Sequence, residues 1–502
     1  MSITENSMRH ILFSLILLML FVSGASAHRG VQVPKPYGPV PSERQLAWHD
    51  MQFYAFICLS SATYRDVEWG YGDMAPDEFQ PIDFNPKQWV EVVKAAGMKG
   101  LVLTAKHHDG FCLWPSKLTD YSVASSSWRG GKGDIVGELA RECRKAGLKF
   151  GVYLSPWDRH DLRYGSPDYI DYYRGQLKEL LTGYGPIFEV WKDGANGGDG
   201  YYGGRREQRK VDGRTYYDWP RTDSLIHVLQ PNACIFSDGG PDIRWCGNES
   251  GFVGETNWAI LDVENYAPGV ADANGLRHGN PQGSAWVPAE VDVSIRPGWF
   301  YHASEDDKVK SLEHLMKIYY ESVGRGSNLI LNAPPTKEGL IHPIDSARLA
   351  EFGRALRREF SRPLRKADIS SVTASNQRGG SRCFGPRQVL DGRKGTYWAT
   401  DDSVRRASMT IQLHRPLPLY SLRMREPIQL GQRISRFSVE VLSPSGEWRV
   451  AAQGTTIGPQ RLLRLENVEA RAVRLTIESD CACPLLREFQ LYLPPAEDNL
   501  ES

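Results

Sequence analysis

A chain of 502 residues with 60 basic and 60 acidic side chains has no formal net charge, and without a polybasic run or an acidic tract it does not read as a nucleic-acid or membrane-surface binder. Its length suits two or three domains, or one barrel with an appended module. The 14 tryptophans and 22 tyrosines suit a large core, and they also suit sugar binding, because pyranose rings offer apolar faces that stack on aromatic planes.

Taken in order, the chain begins with Arg9 and His10 before an apolar run, Ile11 to Val22, too short to span a bilayer comfortably; Ala25-Ser26-Ala27 supplies the small residues of a cleavage site. Residues 1–27 are therefore expected to be a secretory signal, with a secreted or periplasmic mature chain, and an uncleaved anchor is the alternative. Eight cysteines in an exported chain would permit disulfides. However, Cys58, Cys112, Cys143, Cys234 and Cys246 fall in apolar strand or helix contexts, where free thiols are the rule. Cys481 and Cys483 are too close to pair, and no CxxC doublet has zinc spacing.

After a Pro-rich leader (Val33 to Pro41), apolar runs alternate with amphipathic ones. Strands are expected at Phe53 to Leu59, Gly100 to Lys106, Lys149 to Ser155, Ile187 to Lys192, Ala233 to Ser237, Val291 to Ile295 and Asn328 to Asn332, with an eighth near Phe252 to Thr256. Most are separated by helical patterns. In Asn85 to Gly97, Asn85 suits the N-cap and Pro86 the first helical position; Trp89, Val92, Val93 and Ala96 share a face, and Gly97 suits the stop. Asp134 to Gly147 repeats the logic, with Ile135, Leu139, Cys143 and Ala146 on one face. Helical segments Asp307 to Gly324 and Asp345 to Ser361 follow. This is the pattern of an α/β fold, a (β/α)8 TIM-like barrel over residues 28–362. Beyond Pro363, short alternating runs such as Ser408 to Leu413, Tyr420 to Arg425, Phe437 to Leu442, Trp448 to Ala452 and Val473 to Ile477 predict an all-β sandwich over residues 367–495. A polar tail, 496–502, is expected to be disordered.

The C-terminal ends of parallel strands carry chemistry in such barrels. Phe188 to Gly198, FEVWKDGANGG, ends an aromatic strand in Asp193, although Asp-Gly is also ordinary turn punctuation. His107 and His108 leave the second strand at the same rim; neutral imidazole offers one donor and one acceptor, which suits a polyol, and no third ligand has metal spacing. Glu68-Trp69 pairs a carboxylate with a flat apolar surface, which a sugar needs and which a loop Trp plugging the barrel mouth would equally show. Tyr153, Trp157 and Asp158 end the third strand. Glu249, in the Gly-flanked loop WCGNESG, has the placement of a general acid opposite Asp193 or of a solvated surface carboxylate. Two carboxylates among aromatic and imidazole neighbours point to glycoside hydrolysis.

The motifs EWGYG (Glu68 to Gly72), LTAKHHDGFCLWPS (Leu103 to Ser116), KFGVYLSPWD (Lys149 to Asp158), VWxDGANGG (Val190 to Gly198) and GNExG (Gly247 to Gly251) resemble the α-L-fucosidases of glycoside hydrolase family 29, in particular the branch favouring α-1,3/1,4-linked fucose. The C-terminal region, through LDGRKGTYWATDD (Leu390 to Asp402), resembles a discoidin-type sandwich. The resemblance implies a retaining exo-hydrolase acting on a fucosylated glycan. It makes Asp193 the nucleophile and Glu249 the acid/base, with Glu255 and Glu290 in reserve, and assigns Glu68, Trp69, His107, His108, Tyr153, Trp191 and Trp299 to the sugar. No metal, organic cofactor, nucleic acid or membrane partner is implied, and oligomeric state is left open.

Two positions depart from the family pattern. Cys58 stands where the first strand usually offers a His to the sugar, and Lys192 precedes the nucleophile where Phe is usual. Lys192 is expected to face outward; next to Asp193 it would blunt the nucleophile. These departures keep two alternatives open, a glycan-binding protein with weak or lost catalysis and a related glycosidase with altered sugar specificity. In the sandwich, Tyr397 and Trp398 suit a core or a glycan site, and Asp391, Asp401 and Asp402 leave structural calcium open.

Overall fold

The structure, a computed structural model, describes residues 30–269 and 272–496. The expected signal, and all but the first residue of the expected tail, lie outside the described residues.

Eight parallel strands close a barrel: β1 (Phe53–Ile57), β2 (Gly100–Lys106), β3 (Lys149–Leu154), β4 (Glu189–Trp191), β5 (Cys234–Ser237), β6 (Ile243–Trp245), β7 (Ala289–Ser294) and β8 (Asn328–Asn332), each beside its neighbour in sequence, with β8 returning to β1. Around it lie helices α1 (Glu43–His49), α2 (Pro86–Ala95), α3 (Ile135–Ala146), α4 (Asp168–Gly183), α5 (Trp219–Leu229), α6 (Leu312–Glu321) and α7 (Pro343–Glu359). Caps behave as the sequence suggests. The Asn85 side chain accepts from the amides of Lys87 and Gln88, the Asp134 side chain accepts from Gly137, and Gly97 and Gly147 stop their helices with φ of 80° and 74°.

One strand differs from expectation. Residues 252–256 are a loop, and the missing strand is β6, Ile243–Trp245. The polar groups of the 252–259 segment are engaged elsewhere. Val253 donates to the Glu321 carbonyl, Gly254 to that of Arg277, and Asn257 to the Thr456 hydroxyl, while Arg461 binds the Glu255 carbonyl. With those groups spent, the segment cannot join the ladder. The β5–β6 link is also short, residues 238–242, with no helix.

Strand parity loads the barrel interior. Tyr54, Phe56, Cys58, Val102, Tyr153, Trp191, Phe236, Ile243 and Ile330 pack together inside, whereas Ala55, Ile57, Leu101, Leu103, Val152 and Val190 face the helices. Below this layer the parity admits carboxyls, Glu189 from β4 and Glu290 from β7, both fully buried. The Tyr54 hydroxyl contacts both, at 2.8 Å from Glu189 Oε2 and in a short bond with Glu290 Oε2, while Trp48 Nε1 donates to Glu189 Oε2 at 2.9 Å. A hydroxyl donates once. Tyr54 therefore gives its proton to Glu189 and accepts from a protonated Glu290, in keeping with burial and the Glu189 charge, which push the Glu290 pKa well up.

The C-terminal domain is an antiparallel sheet: β9 (Ile369–Ala374), β10 (Arg406–Arg425), β11 (Arg436–Leu442), β12 (Trp448–Gly454), β13 (Arg461–Glu478) and β14 (Glu488–Tyr492), in the order β9-β10-β13-β11-β12 with β14 also on β10. Register shifts at Gln412/Leu417 and Leu419/Ser421 break the β10–β13 ladder, so two expected runs are one long irregular strand. Trp398 is fully buried, its indole donating to the Asn376 carbonyl, and Tyr397 is buried beside Cys483 and Leu485. Both are core residues. Asp391 accepts from Arg393 and Thr396, Asp401 from Gly379 and Asn376, and Asp402 pairs with Arg378. All eight cysteines are free thiols.

The domains share a polar seam. Glu359, 5% exposed at the end of α7, accepts from Tyr320 of α6 and from Tyr420 and Arg464 of the sheet, at 2.5–3.3 Å. The leading segment also crosses the sheet domain, Arg378 Nε binding the Gln32 carbonyl, Arg433 Nη2 that of Lys35, and Tyr37 N donating to Leu430. Breaking a buried ion pair from one side strands the partner charge. Because Arg464 is half exposed, Glu359→Ala is expected to cost roughly 2 kcal/mol, read as a lower urea midpoint in equilibrium unfolding.

Candidate active site

One pocket at the C-terminal end of the barrel strands is lined by Cys58, Glu68, Trp69, His107, His108, Tyr153, Trp191, Asp193, Glu249 and Trp299, ten of the positions singled out in the sequence, together with Phe56, Thr104, Asp292 and Phe300. Trp157 and Asp158, also expected at this rim, lie behind the lining, where Trp157 donates to the Tyr202 hydroxyl and Asp158 pairs with buried Lys106 at 3.0 Å. Of the reserves, Glu290 lies beneath it in the barrel interior. Glu255 sits at the domain seam, ion-paired with Arg461 at 3.4 Å.

Asp193 follows the inward parity of Glu189 and Trp191. Its Oδ1 accepts from the amide of Ala195 at 2.8 Å, which turns the chain into the Ala-Asn-Gly-Gly loop, and its Oδ2 accepts from the Tyr153 hydroxyl at 3.0 Å. Lys192, one residue before, takes the outward parity. Its ammonium pairs with Asp223 of α5 at 2.5 Å and lies over the Trp219 ring, so it is spent on the helix layer and leaves the nucleophile candidate alone.

His108 Nε2 stands 3.8 Å from Asp193 Oδ2. Its Nδ1 is 2.7 Å from Ser155 Oγ, which itself donates to the Trp157 carbonyl. Ser155 is therefore the acceptor and Nδ1 carries the proton, leaving Nε2 as an acceptor facing the pocket. Burial holds the ring neutral, lowering its pKa to about 3. His107 is also buried and kept neutral by burial; its Nδ1 has no partner among the described residues.

The opposite wall is one loop, residues 296–302. The Trp299 amide donates to Glu68 Oε2 at 2.8 Å and the Phe300 amide to Oε1 at 3.4 Å, while the Trp299 indole donates to Glu249 Oε2 at 3.0 Å. His302 Nε2 adds a contact to Glu68 Oε1 at 2.7 Å. Trp69, 53% exposed, stands edge-on to His108 and Trp157, with Arg159 binding the Trp69 and Gly70 carbonyls.

Three further groups of the pocket carry shifted pKa values. Burial, with the charges of Asp193 and Glu68, raises the Glu249 pKa against the indole bond that lowers it, the direction an acid candidate needs. Burial, with the charges of Glu68, Asp193 and Glu249, drives Cys58 well up, so it lines the pocket as a thiol rather than a nucleophilic thiolate. Asp292, 2% exposed, accepts from Trp245 Nε1 at 2.9 Å, and burial with the Glu249 charge makes it a neutral acid in the wall.

Sequence reasoning missed Asp292 and His302. Asp292 was legible by parity, two residues after Glu290 on the same strand. His302 lies three residues after Trp299, but nothing local shows that it folds back onto Glu68.

Comparison with known proteins assigns the chain. The alpha-L-fucosidase family model matches residues 37–359, and the F5/8 type C domain model matches residues 371–489. Alpha-L-fucosidase 1 of Arabidopsis thaliana is 44% identical over 465 residues, spanning 92% of this chain and 88% of the relative. Among solved structures, a glycoside hydrolase family 29 member from an unknown rumen bacterium superposes with a TM-score of 0.81 at 42% identity, covering 93% of this chain and 79% of that one. A Ruminococcus gnavus fucosidase of the same family, in complex with fucose, superposes with a TM-score of 0.84 at 31% identity, covering 94% and 98%.

The indole bond to Glu249 sets a test. It favours the charged carboxylate, so its removal raises the Glu249 pKa further. In Trp299→Phe, the alkaline limb of the kcat/KM profile on an aryl α-L-fucoside is expected to move to higher pH, by about half a unit to one unit, beside a higher KM from the altered wall.

Proposed function

We propose that this chain, which belongs to the α-L-fucosidase family and is an α-L-fucosidase, is an exported retaining exo-enzyme that removes terminal α-L-fucosyl groups, in α-1,3/1,4 linkage, through a covalent intermediate on Asp193. The observation that carries this reading is the pairing within one pocket of Asp193, held by Tyr153 and Ala195, with Glu249, held by the Trp299 indole.

In the first step a carboxylate oxygen of Asp193 attacks the anomeric carbon while Glu249 gives its proton to the departing glycosidic oxygen. In the second step Glu249, now a carboxylate, takes a proton from water, whose oxygen displaces Asp193 and releases L-fucose with its configuration retained. The Tyr153 and Ala195 bonds aim the nucleophile. Glu68, His107 and His108 Nε2 offer complementary donors and acceptors to the ring hydroxyls. Phe56 and Phe300 give an apolar wall for the methyl that replaces a hydroxymethyl on this sugar. The linkage reading rests on the branch-specific motifs, and export rests on the leader pattern before residue 28. Lys192, paired with Asp223, supplies no argument for lost catalysis.

Incubation with a 2-fluoro-fucosyl fluoride is expected to leave a fluorofucosyl ester on the peptide carrying Asp193, seen by mass spectrometry, and Asp193→Ala is expected to lower kcat at least about a thousandfold. Release of inverted sugar, followed by NMR, would refute the mechanism. Cys58→His restores a stronger hydrogen-bonding group on β1 and is expected to lower KM for simple fucosides by about tenfold. A loss of affinity instead would mark Cys58 as fitted to a different substituent on the sugar.

A further inference from the structure

We propose that His302 is a positioning residue for the hydrolytic site: by bridging Asp66 and Glu68 it fixes Glu68, and with it the Trp299 loop, toward the bound sugar. The inference rests on the reading of the pocket as the fucosyl site. His302 Nδ1 lies 2.7 Å from Asp66 Oδ1 and Nε2 lies 2.7 Å from Glu68 Oε1. Both partners are carboxylates, which only accept when ionised, so both ring nitrogens must donate and the ring is an imidazolium.

The bridge joins two loops far apart in sequence, His302 and Glu68 being separated by 234 residues. Asp66 follows the short helix Ser61–Arg65 after β1 and holds a left-handed backbone, φ 56°. Glu68 follows two residues later and accepts from the amides of Trp299 and Phe300. His302 sits on the far side of the same loop, its carbonyl accepting from the Glu305 amide and from Arg296. Arg296 is buried and paired with Asp345 and Asp306 at 2.8 and 2.9 Å, so the base of the loop is rigid. Glu68 thus meets the loop through three donors, of which His302 supplies the charged one. The loop carries this order on to Glu249 through the Trp299 indole.

The charged groups around the ring are Asp66, Glu68, Glu305, Arg296 and, beyond Asp66, Lys337. Partial burial alone would lower the His302 pKa; the two carboxylates outweigh it and raise the value above that of a free imidazole. The clamp is therefore complete below that raised pKa and is lost as pH rises through it. A neutral ring has a single N–H, so its other nitrogen would face a carboxylate lone pair to lone pair, and one of the two contacts must open. Glu68, 42% exposed at its side chain, then keeps only the two loop amides and is held less firmly toward the sugar. The effect falls on substrate affinity, since neither Asp66 nor His302 touches the reacting atoms.

The experiment measures kcat and KM separately from pH 5 to 9 on an aryl α-L-fucoside for the full-length enzyme, His302→Gln and Asp66→Asn. Asn tolerates the left-handed backbone at position 66, so the second variant keeps the fold. Wild-type KM is expected to climb about tenfold on the alkaline side while kcat follows its own limb. His302→Gln should show the raised KM at every pH, with kcat within about threefold. Asp66→Asn should shift the KM rise to lower pH by about one unit. A wild-type KM flat across the range, or a His302→Gln enzyme that loses kcat and KM together with its thermal midpoint, would overturn the proposal. Absence of any turnover by wild type would overturn the reading of the pocket instead.

Discussion

The barrel depends on a proton shared where none is easily spared. Glu189 and Glu290 point into the interior from β4 and β7, and neither can stay there charged without a partner, because desolvating a carboxylate costs several kcal/mol. Tyr54 resolves this by donating to one and accepting from the other, with Trp48 Nε1 adding a second donor to Glu189 Oε2. The free oxygen of Glu290 then accepts from Trp191 Nε1 at 2.8 Å. Trp191 is the pocket floor, stacked on Phe236 with centroids 3.9 Å apart. Strands β1, β4 and β7 are thus tied through one polar knot directly under the sugar site, and the site inherits its geometry from the knot.

The same parity that buries Glu189 decides what sits beside the proposed nucleophile. In β4, residues 189, 191 and 193 face inward and residues 190 and 192 outward, so a lysine adjacent in sequence to Asp193 is tied to a helix on the other side of the wall. Cys58 has the opposite fate. It shares the inward parity of Tyr54 and Phe56 and lands in the pocket, where burial keeps it a thiol. Of the two departures from the family pattern, only this one touches the substrate space.

Much of the site was legible because strand ends are legible. An aromatic run broken by Asp-Gly, or by His-His-Asp-Gly, gives both the strand and the side of the barrel where it ends; Cys58, Trp191 and Trp299 were added by the family resemblance, and all ten share one pocket. The eighth strand was not legible: Ile243–Trp245 is three residues between Pro241 and Gly247, too short for a period, and barrel closure rather than local preference makes it a strand. The more apolar 252–256 segment looked better by composition but gives its polar groups to the sheet domain and to α6. His302 was hidden for a similar reason, since its role depends on a partner 234 residues away.

The leading segment adds a constraint of timing. Its carbonyls at Gln32 and Lys35 are held by Arg378 and Arg433, 346 and 398 residues downstream. The barrel needs only residues up to Asn332 to bring β8 against β1, so it can close while these first residues still lack a partner. At ribosomal rates of about 5–20 residues per second the wait for Arg433 is roughly 20 to 80 s. The first of the described residues to be synthesised are thus among the last to be seated, and a truncation before Arg433 removes the donor to the Lys35 carbonyl.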